Sequence, residues 1–483
     1  MKILVLQLAR LGDVYQSWPA LRALRRLYPS AQIDVMVRPK FADALDGLEC
    51  ISDRILLPVN ALFEPLLKPI PEIESSIASL DQFITGLKRA RYDWVINFSF
   101  SPVSSYLVHA IKNLPAQATG YTRHDDGFFD MSGEISAYFY AQVGINRQNR
   151  FHVTDLLAGL IGVELEADDW KDPGTTNDKL KLPDQYIVMH IGASETQKSL
   201  PPFKWSRIIK FFHEENPGTA IVLIGAQGEK LIADLVMAGR GDASVINLVG
   251  ETSVQDLFPV LRDSALLIGC DSAPMHIASF TKTPCLNISL GQVNFWETGP
   301  RSPRSYIFRA VSAEDIVSEY IGHMAKEIIE GKDPQGLAKY VPESPCYQLE
   351  ESSEQRFCWD LILALYMGHP FPQTEDMRYF QGCQKLNEIN DVIIEQLKLV
   401  TKAGLEKLKP ILDRGDEVIH TLGGMIPEMK IYTNWLKAER ARVKPGSVAE
   451  VVEATLKMHM TLKSLVKPYV LDDSQAQQGG KNG

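Results

Sequence analysis

The sequence predicts an α/β protein: two successive doubly wound units, each a mostly parallel sheet flanked by helices, then a mainly helical extension. Three observations carry this. Apolar runs of strand length alternate with helical stretches up to about residue 175. The alternation restarts near 185, after a polar segment. Beyond about 312 the strand signals give way to long stretches of helical periodicity.

KILVLQL (2–8) is a continuous apolar run of the kind buried in a parallel sheet. SWPALRALRRLYP (17–29) follows as a helix, with Leu21, Leu24 and Leu27 on one side and arginines on the other. QIDVMV (32–37), RILLPV (54–59) and DWVINF (93–98) are the next strands. DWKDPGTTNDKLKLPD (169–184) is polar, carries Pro and Gly, and suits a linker. In the second unit YIVMHI (186–191), AIVLIG (220–225), VINLVG (245–250), ALLIG (265–269) and CLNISL (285–290) read as strands. WSRIIKFFHEE (205–215) reads as a helix, and Ser253 to Asp256 resembles a capping box for a helix ending at Leu261. Residues 312–331 read as one helix, 387–422 as one long helical run striped by Ile389, Ile393, Leu397 and Val400, and 448–466 as another. Together these predict a helical hairpin or small bundle. The expected boundaries are 1–175, 176–330 and a helical extension over 331–473, with a hydrophobe-poor, disordered tail at 474–483.

The composition narrows the function. Of 483 residues 45% are hydrophobic and 23% charged, which fits a folded globular protein. The net charge of −10 argues against a general nucleic-acid binder. A local basic patch is expected from Arg10, Arg22, Arg25, Arg26, Arg38 and Lys40. No window reads as a membrane span or signal peptide, so a cytoplasmic protein is expected, with at most peripheral contact at the inner face of the plasma membrane. The six cysteines read mostly as buried thiols; Cys346, Cys358 and Cys383 lack the close pairing of zinc sites, and no metal is expected.

Four segments can carry chemistry. In QLARLGDV (7–14), Gly12 permits a sharp turn at the carboxyl end of the first strand. Asp13 is then either a proton acceptor in the crevice or simply a helix N-cap. In MHIGASETQKSLPPFKW (189–205), a small-residue turn at Ser194 lets backbone N–H groups approach an anion, and Lys198 is either a phosphate ligand or an exposed surface lysine. In LIGCDSAPMHIASF (267–280), Asp271 or Ser272 can cap a helix whose free N–H groups suit a diphosphate; the alternative is a plain capped helix with a buried Met275 and a satisfied His276. LGQVNFWETGPRSPR (290–304) is placed to close over a ligand. Neither half carries G-x-G-x-x-G after a strand, so no nicotinamide site is indicated.

These segments, in this order, resemble the heptosyltransferase family of bacterial glycosyltransferases (family 9), which builds the inner core of lipopolysaccharide from ADP-heptose. The likeness covers roughly 1–312 and rests on QLARLGDVYQSWPALRALRRLYP, RYDWVINF, ATGYTR, HIGASETQKSLPPFKW and NLVGETSVQDLFPVLRDSALLIGCDSAPMHIAS. It implies the GT-B architecture, with an acceptor-binding first domain and a donor-binding second. It implies an inverting transfer from a nucleotide-diphosphate sugar, an ADP-sugar, with no cofactor and no metal. By the match Asp13 is the base, and Arg10 and Gly12 lie on the acceptor side. Lys198, Ser194, Asp271, Ser272, Ala273, Met275 and His276 lie on the donor side. Ala273 stands where the family usually has Gly, and Gly291, Gln292 and Val293 replace its usual glycine-proline-threonine turn. The extension beyond 331 has no counterpart in typical members. The acceptor is then a lipopolysaccharide-type, lipid-linked saccharide met by the early arginines, or a protein docked on the extension, which can also serve oligomer contacts. A non-catalytic nucleotide-sugar scaffold is the competing reading.

Overall fold

The computed structural model describes the chain except residues 113–116, 178, 193, 194, 196, 197 and 471–483, and the side chains of 401–403. The expected tail at 474–483 lies outside the described residues.

The first sheet is built from β1 (Lys2–Leu6), β2 (Gln32–Val37), β3 (Asp53–Leu56), β4 (Trp94–Asn97), β5 (Gln117–Arg123) and β6 (Phe129–Ser132). Its order is β3-β2-β1-β4-β5-β6, parallel except for the β5–β6 hairpin. The second sheet contains β7 (Tyr186–His190), β8 (Ala220–Ile224), β9 (Val245–Asn247), β10 (Leu267–Cys270), β11 (Cys285–Leu290), β12 (Ser305–Ala310), β13 (Ala338–Val341) and β14 (Cys346–Gln348). Its order is β14-β13-β12-β11-β10-β7-β8-β9, with β7 to β12 parallel. Both sheets are doubly wound, and β1 and β10 are apolar throughout their buried lengths because helices cover both faces, whereas β11 buries Asn287 and Ser289 among its apolar residues. The second sheet runs on to Gln348 through two antiparallel edge strands.

The helix expected at 17–29 spans Leu11–Leu27, so it opens directly after β1. Its arginines do not form an outer basic face. Arg22 is buried and donates to the Asp169 and Lys171 carbonyls; Arg25 donates to the Cys50 and Ala31 carbonyls, and Arg26 pairs with Glu166 and Asp169. Leu27, by contrast, is exposed. The patch expected from the early basic residues is thus largely consumed in fastening this helix to its neighbours.

The run expected over 387–422 is two helices, Met377–Ala403 and Leu405–Met425, folded back on each other at Gly404. Gly404 has φ 85° and ψ 140°, a backbone conformation that glycine tolerates. Helix Lys430–Ala441 then packs on helix Gly133–Gln142 of the first sheet's layer, and helix Val448–Val466 closes the bundle against Met377–Ala403. One hydrophobic cluster joins all parts: Tyr15 and Trp18, Phe258 and Phe280, and Tyr379 and Leu462 belong to it. Among the described residues no helix is long and apolar enough to cross a membrane.

Candidate functional site

Helix Leu11–Leu27 begins at the carboxyl edge of β1, and its first turn is one wall of the site. Arg10 is the N-cap and Asp13 the third helical residue, so Asp13 is not the N-cap itself. Asp13 Oδ2 accepts the Arg10 backbone N–H at 2.8 Å, which pins the carboxylate within the first turn. Burial pushes the Asp13 carboxyl above its ordinary range, opposed by that hydrogen bond and by the charges of Arg10, Lys198 and Arg38. A carboxyl raised in this way is a better proton acceptor than a free aspartate.

The opposite wall is the turn between β10 and helix Ala273–Thr281. Gly12 shows how close the walls are: a methyl there would stand 2.9 Å from His276 Cδ2 and 3.9 Å from Ala273 Cα. Glycine is therefore required by the facing helix, whereas the expectation was a sharp turn; Gly12 has no positive φ. Ser272 is the N-cap, yet its hydroxyl does not cap. It bonds the Cys270 carbonyl at 3.0 Å and His190 Nδ1 at 3.0 Å, leaving the Ala273 N–H without a side-chain cap; Pro274 has no N–H, and the Met275 N–H donates to the Ser272 carbonyl at 3.1 Å. Asp271 Oδ1 accepts from Asn287 Nδ2 at 3.1 Å, and among the described residues Asp271 Oδ2 accepts no hydrogen bond. Burial raises the Asp271 carboxyl to about 6, against the Asn287 bond and the Lys198 charge. His276 and His190 are both pushed down to about 4 by burial, so both imidazoles are neutral at pH 7.

Lys198 sits between the walls, within electrostatic reach of both Asp13 and Asp271. Glu195 pairs with Arg10 at 2.6 Å and lies 3.6 Å from Lys198, so the donor-side loop meets the first domain through charge. Ser194 lies outside the described residues. Met275 is fully buried under Gly269, where it supports the helix from below.

Two carboxylates escaped the sequence reading. Glu229 follows β8, accepts the Ala226 N–H at 2.6 Å, and abuts Gly192 so closely that a methyl on Gly192 would overlap it. The glycine-rich turn GAQGE after a strand was the available signal. Glu297, on the loop after β11, is buried and accepts from Gly144 N at 3.1 Å, Asn149 Nδ2 at 3.2 Å and Asn294 Nδ2 at 3.0 Å. Burial raises it to about 7 despite those bonds and Arg147. It latches the loop expected to close over a ligand onto the first domain, and no local signal announces partners 150 residues away.

Cys346, Cys358 and Cys383 do not converge: among the described residues no three metal-binding side chains come together. A cavity of about 530 Å³ lies away from this crevice, bounded by Trp170, Lys282, Arg301 and Tyr340. What the crevice brings together is a raised carboxyl, the Lys198 cation and the N-terminus of helix Ala273–Thr281. That set can accept a proton on one side and stabilise an anionic leaving group on the other.

The model of glycosyltransferase family 9 (heptosyltransferase) matches residues 81–317. The chain is 22% identical over 281 residues to lipopolysaccharide heptosyltransferase 3 of Escherichia coli K12, covering 57% of this chain and 79% of that one. It is 22% identical over 299 residues to lipopolysaccharide heptosyltransferase 1 of Campylobacter coli, covering 60% and 83%. The solved structure of E. coli ADP-heptose LPS heptosyltransferase II superposes with a TM-score of 0.50 at 18% identity, over 68% of this chain and 99% of that one. That of E. coli heptosyltransferase WaaC with ADP does so with a TM-score of 0.50 at 18% identity, over 68% and 100%. The fold is therefore GT-B, with a helical addition. Over residues 81–317 the chain is similar to the glycosyltransferase family 9 (heptosyltransferase) domain, and a helical extension lies beyond that match.

Proposed function

We propose that the protein is an inverting glycosyltransferase moving heptose or a similar sugar from a nucleotide-diphosphate donor, an ADP-sugar, to a lipopolysaccharide-type saccharide. The observation that supports this best is the apposition of Gly12 and Asp13 against Ala273 and His276, with Lys198 between them. The acceptor hydroxyl attacks the anomeric carbon and gives its proton to Asp13. The new C–O bond forms as the bond to the diphosphate breaks. The departing nucleoside diphosphate takes its charge to Lys198 and to the Ala273 N–H at the positive end of the helix dipole. Glu229, beside Gly192, is suited to accept hydroxyl groups of the donor's nucleoside. Arg10 and Gly12 lie on the acceptor side. No cofactor is required, because charge stabilisation comes from protein groups.

The test is direct. ADP, GDP, UDP, CMP and NAD are compared by thermal shift, and one nucleoside diphosphate should raise Tm by a few degrees; about 2.7 kcal/mol is expected at a hundredfold Kd. Lys198→Ala should remove that response. Asp13→Asn should lower turnover about a hundredfold while nucleotide binding persists. Full activity in Asp13→Asn removes the base assignment, and silence across the panel favours the scaffold reading.

A further inference from the structure

The first domain, the second domain and β13 meet around the cavity of about 530 Å³ that lies away from the crevice. Asp155 comes from helix Val153–Leu160, and Glu164 and Trp170 come from the stretch that follows it. Lys282, just past helix Ala273–Thr281, and Arg301 come from the second unit. Tyr340 comes from β13, beyond residue 317, where the likeness to the family domain ends. Sites for small ligands typically measure about 300–1,000 Å³, and this cavity falls in that range.

Measured contacts hold these side chains around one space. Arg301 Nη1 donates to Asp155 Oδ1 at 2.6 Å, and Nε donates to Tyr340 Oη at 3.1 Å. The guanidinium carbon lies 5.0 Å from the centre of the Trp170 ring. The Arg301 side chain is 7% exposed and Tyr340 is buried, so these two form the floor. Glu164 and Lys282 are exposed and form the rim. Glu166, also on the rim, is spent on Arg26 at 2.6 Å. Among the described residues, Arg301 Nη2, Asp155 Oδ2, the Glu164 carboxylate and the Lys282 amine make no hydrogen bond.

The polar groups left over are thus of both kinds: Arg301 and Lys282 donate, Asp155 and Glu164 accept. A small anion would meet carboxylates here, and a small cation would meet the lysine and the arginine. A ring of hydroxyl groups suits both, because a hydroxyl donates one hydrogen bond and accepts others. Trp170 and Tyr340 supply flat apolar surface for the C–H side of such a ring.

We propose that this cavity binds a neutral saccharide, at a site separate from the transfer crevice. Ala273 at the crevice and Ser279 at the cavity stand on one helix, about 9 Å apart along its axis. Ser279 Oγ accepts the Arg301 backbone N–H at 2.8 Å, so the cavity floor is fastened to that helix. The cavity takes its ligand whether or not the crevice transfers a sugar.

The full-length protein is studied by saturation-transfer NMR with the methyl α-glycosides of glucose, galactose and mannose, and with glucuronate and glucosamine as charged counterparts. At least one neutral glycoside should receive saturation at its ring C–H protons, and neither charged sugar should bind more tightly than it. Glu164→Ala and Lys282→Gln, both at exposed positions outside the core, should each weaken binding about threefold or more, the worth of one hydrogen bond. Trp170→Ala should abolish it, and Lys198→Ala, in the crevice, should leave it unchanged. Silence from all three glycosides overturns the site, and so does tighter binding of a charged sugar. A response lost in Lys198→Ala but kept in both rim variants puts the sugar in the crevice and overturns it too.

Discussion

One oxygen of Asp13 closes the first turn of its helix, and the carboxyl as a whole lies within the field of Lys198 and Arg38. Cap chemistry and site chemistry were rival readings of this residue; the structure shows the first-turn hydrogen bond and a carboxyl raised by burial. Glu297 makes a pH prediction. Its carboxyl is raised by burial to about 7, above the 4.5 of a free glutamate, so the folded state favours its neutral form. The stability it contributes is complete below about pH 4.5 and is lost as pH rises through about 7. From 4.5 to about 7, at 1.36 kcal/mol per pKa unit, the loss is about 3 kcal/mol. Melting curves of wild type and Glu297→Gln from pH 5 to 8 should therefore diverge, the variant gaining relative stability as pH rises. Parallel curves would refute the shift. Asp13, Lys198 and 271–276 were legible because each motif is local: a strand end, a small residue and a charge within a few positions. Glu297 was not, because its partners Gly144 and Asn149 lie far along the chain.

At the scale of elements, Gly404 separates two helices that periodicity alone merges into one. A residue with a Cβ is strained at φ 85° and ψ 140°, and nothing lies within 4 Å of the place where that Cβ would stand. Gly404→Ala should therefore cost about 1–3 kcal/mol through backbone strain alone, read as a lowered urea midpoint with an unchanged slope. An unaltered midpoint would mean that the hairpin bends elsewhere. Helix Leu11–Leu27 teaches the opposite lesson. Its leucine stripe was readable, but the fate of Arg22 was not: its guanidinium lies 5.2 Å from the Trp18 ring and donates to carbonyls near 170. A buried arginine of this kind looks in sequence like any exposed one, since only its partners distinguish them.

At the scale of the molecule, the extension is not a detachable module. β13 and β14 complete the second sheet, and Cys358, Leu361, Tyr379 and Leu462 share a hydrophobic cluster with Trp18 and Phe258. A chain ending at residue 330 would expose that cluster and leave β12 as an open edge. Such a truncation should aggregate or lose its cooperative melt. A soluble fragment with a sharp transition by circular dichroism would show the extension to be independent. The two sheets are also joined by aromatic packing: Trp18 stacks on Phe258 at 5.7 Å, and Tyr15 meets the same ring at 5.9 Å.

The sequence by itself determined the alternation of strands and helices, the two parallel sheets, the helical addition and the motifs at the strand ends. These follow from local periodicity and turn chemistry, which act over a few residues. Tertiary structure alone decided which arginines are spent on carbonyls, why Gly12 must lack a side chain, and how Glu297 latches its loop across the chain. Burial and the electrostatic field at a group are sums over neighbours in space, and those neighbours are set only when the whole chain has packed.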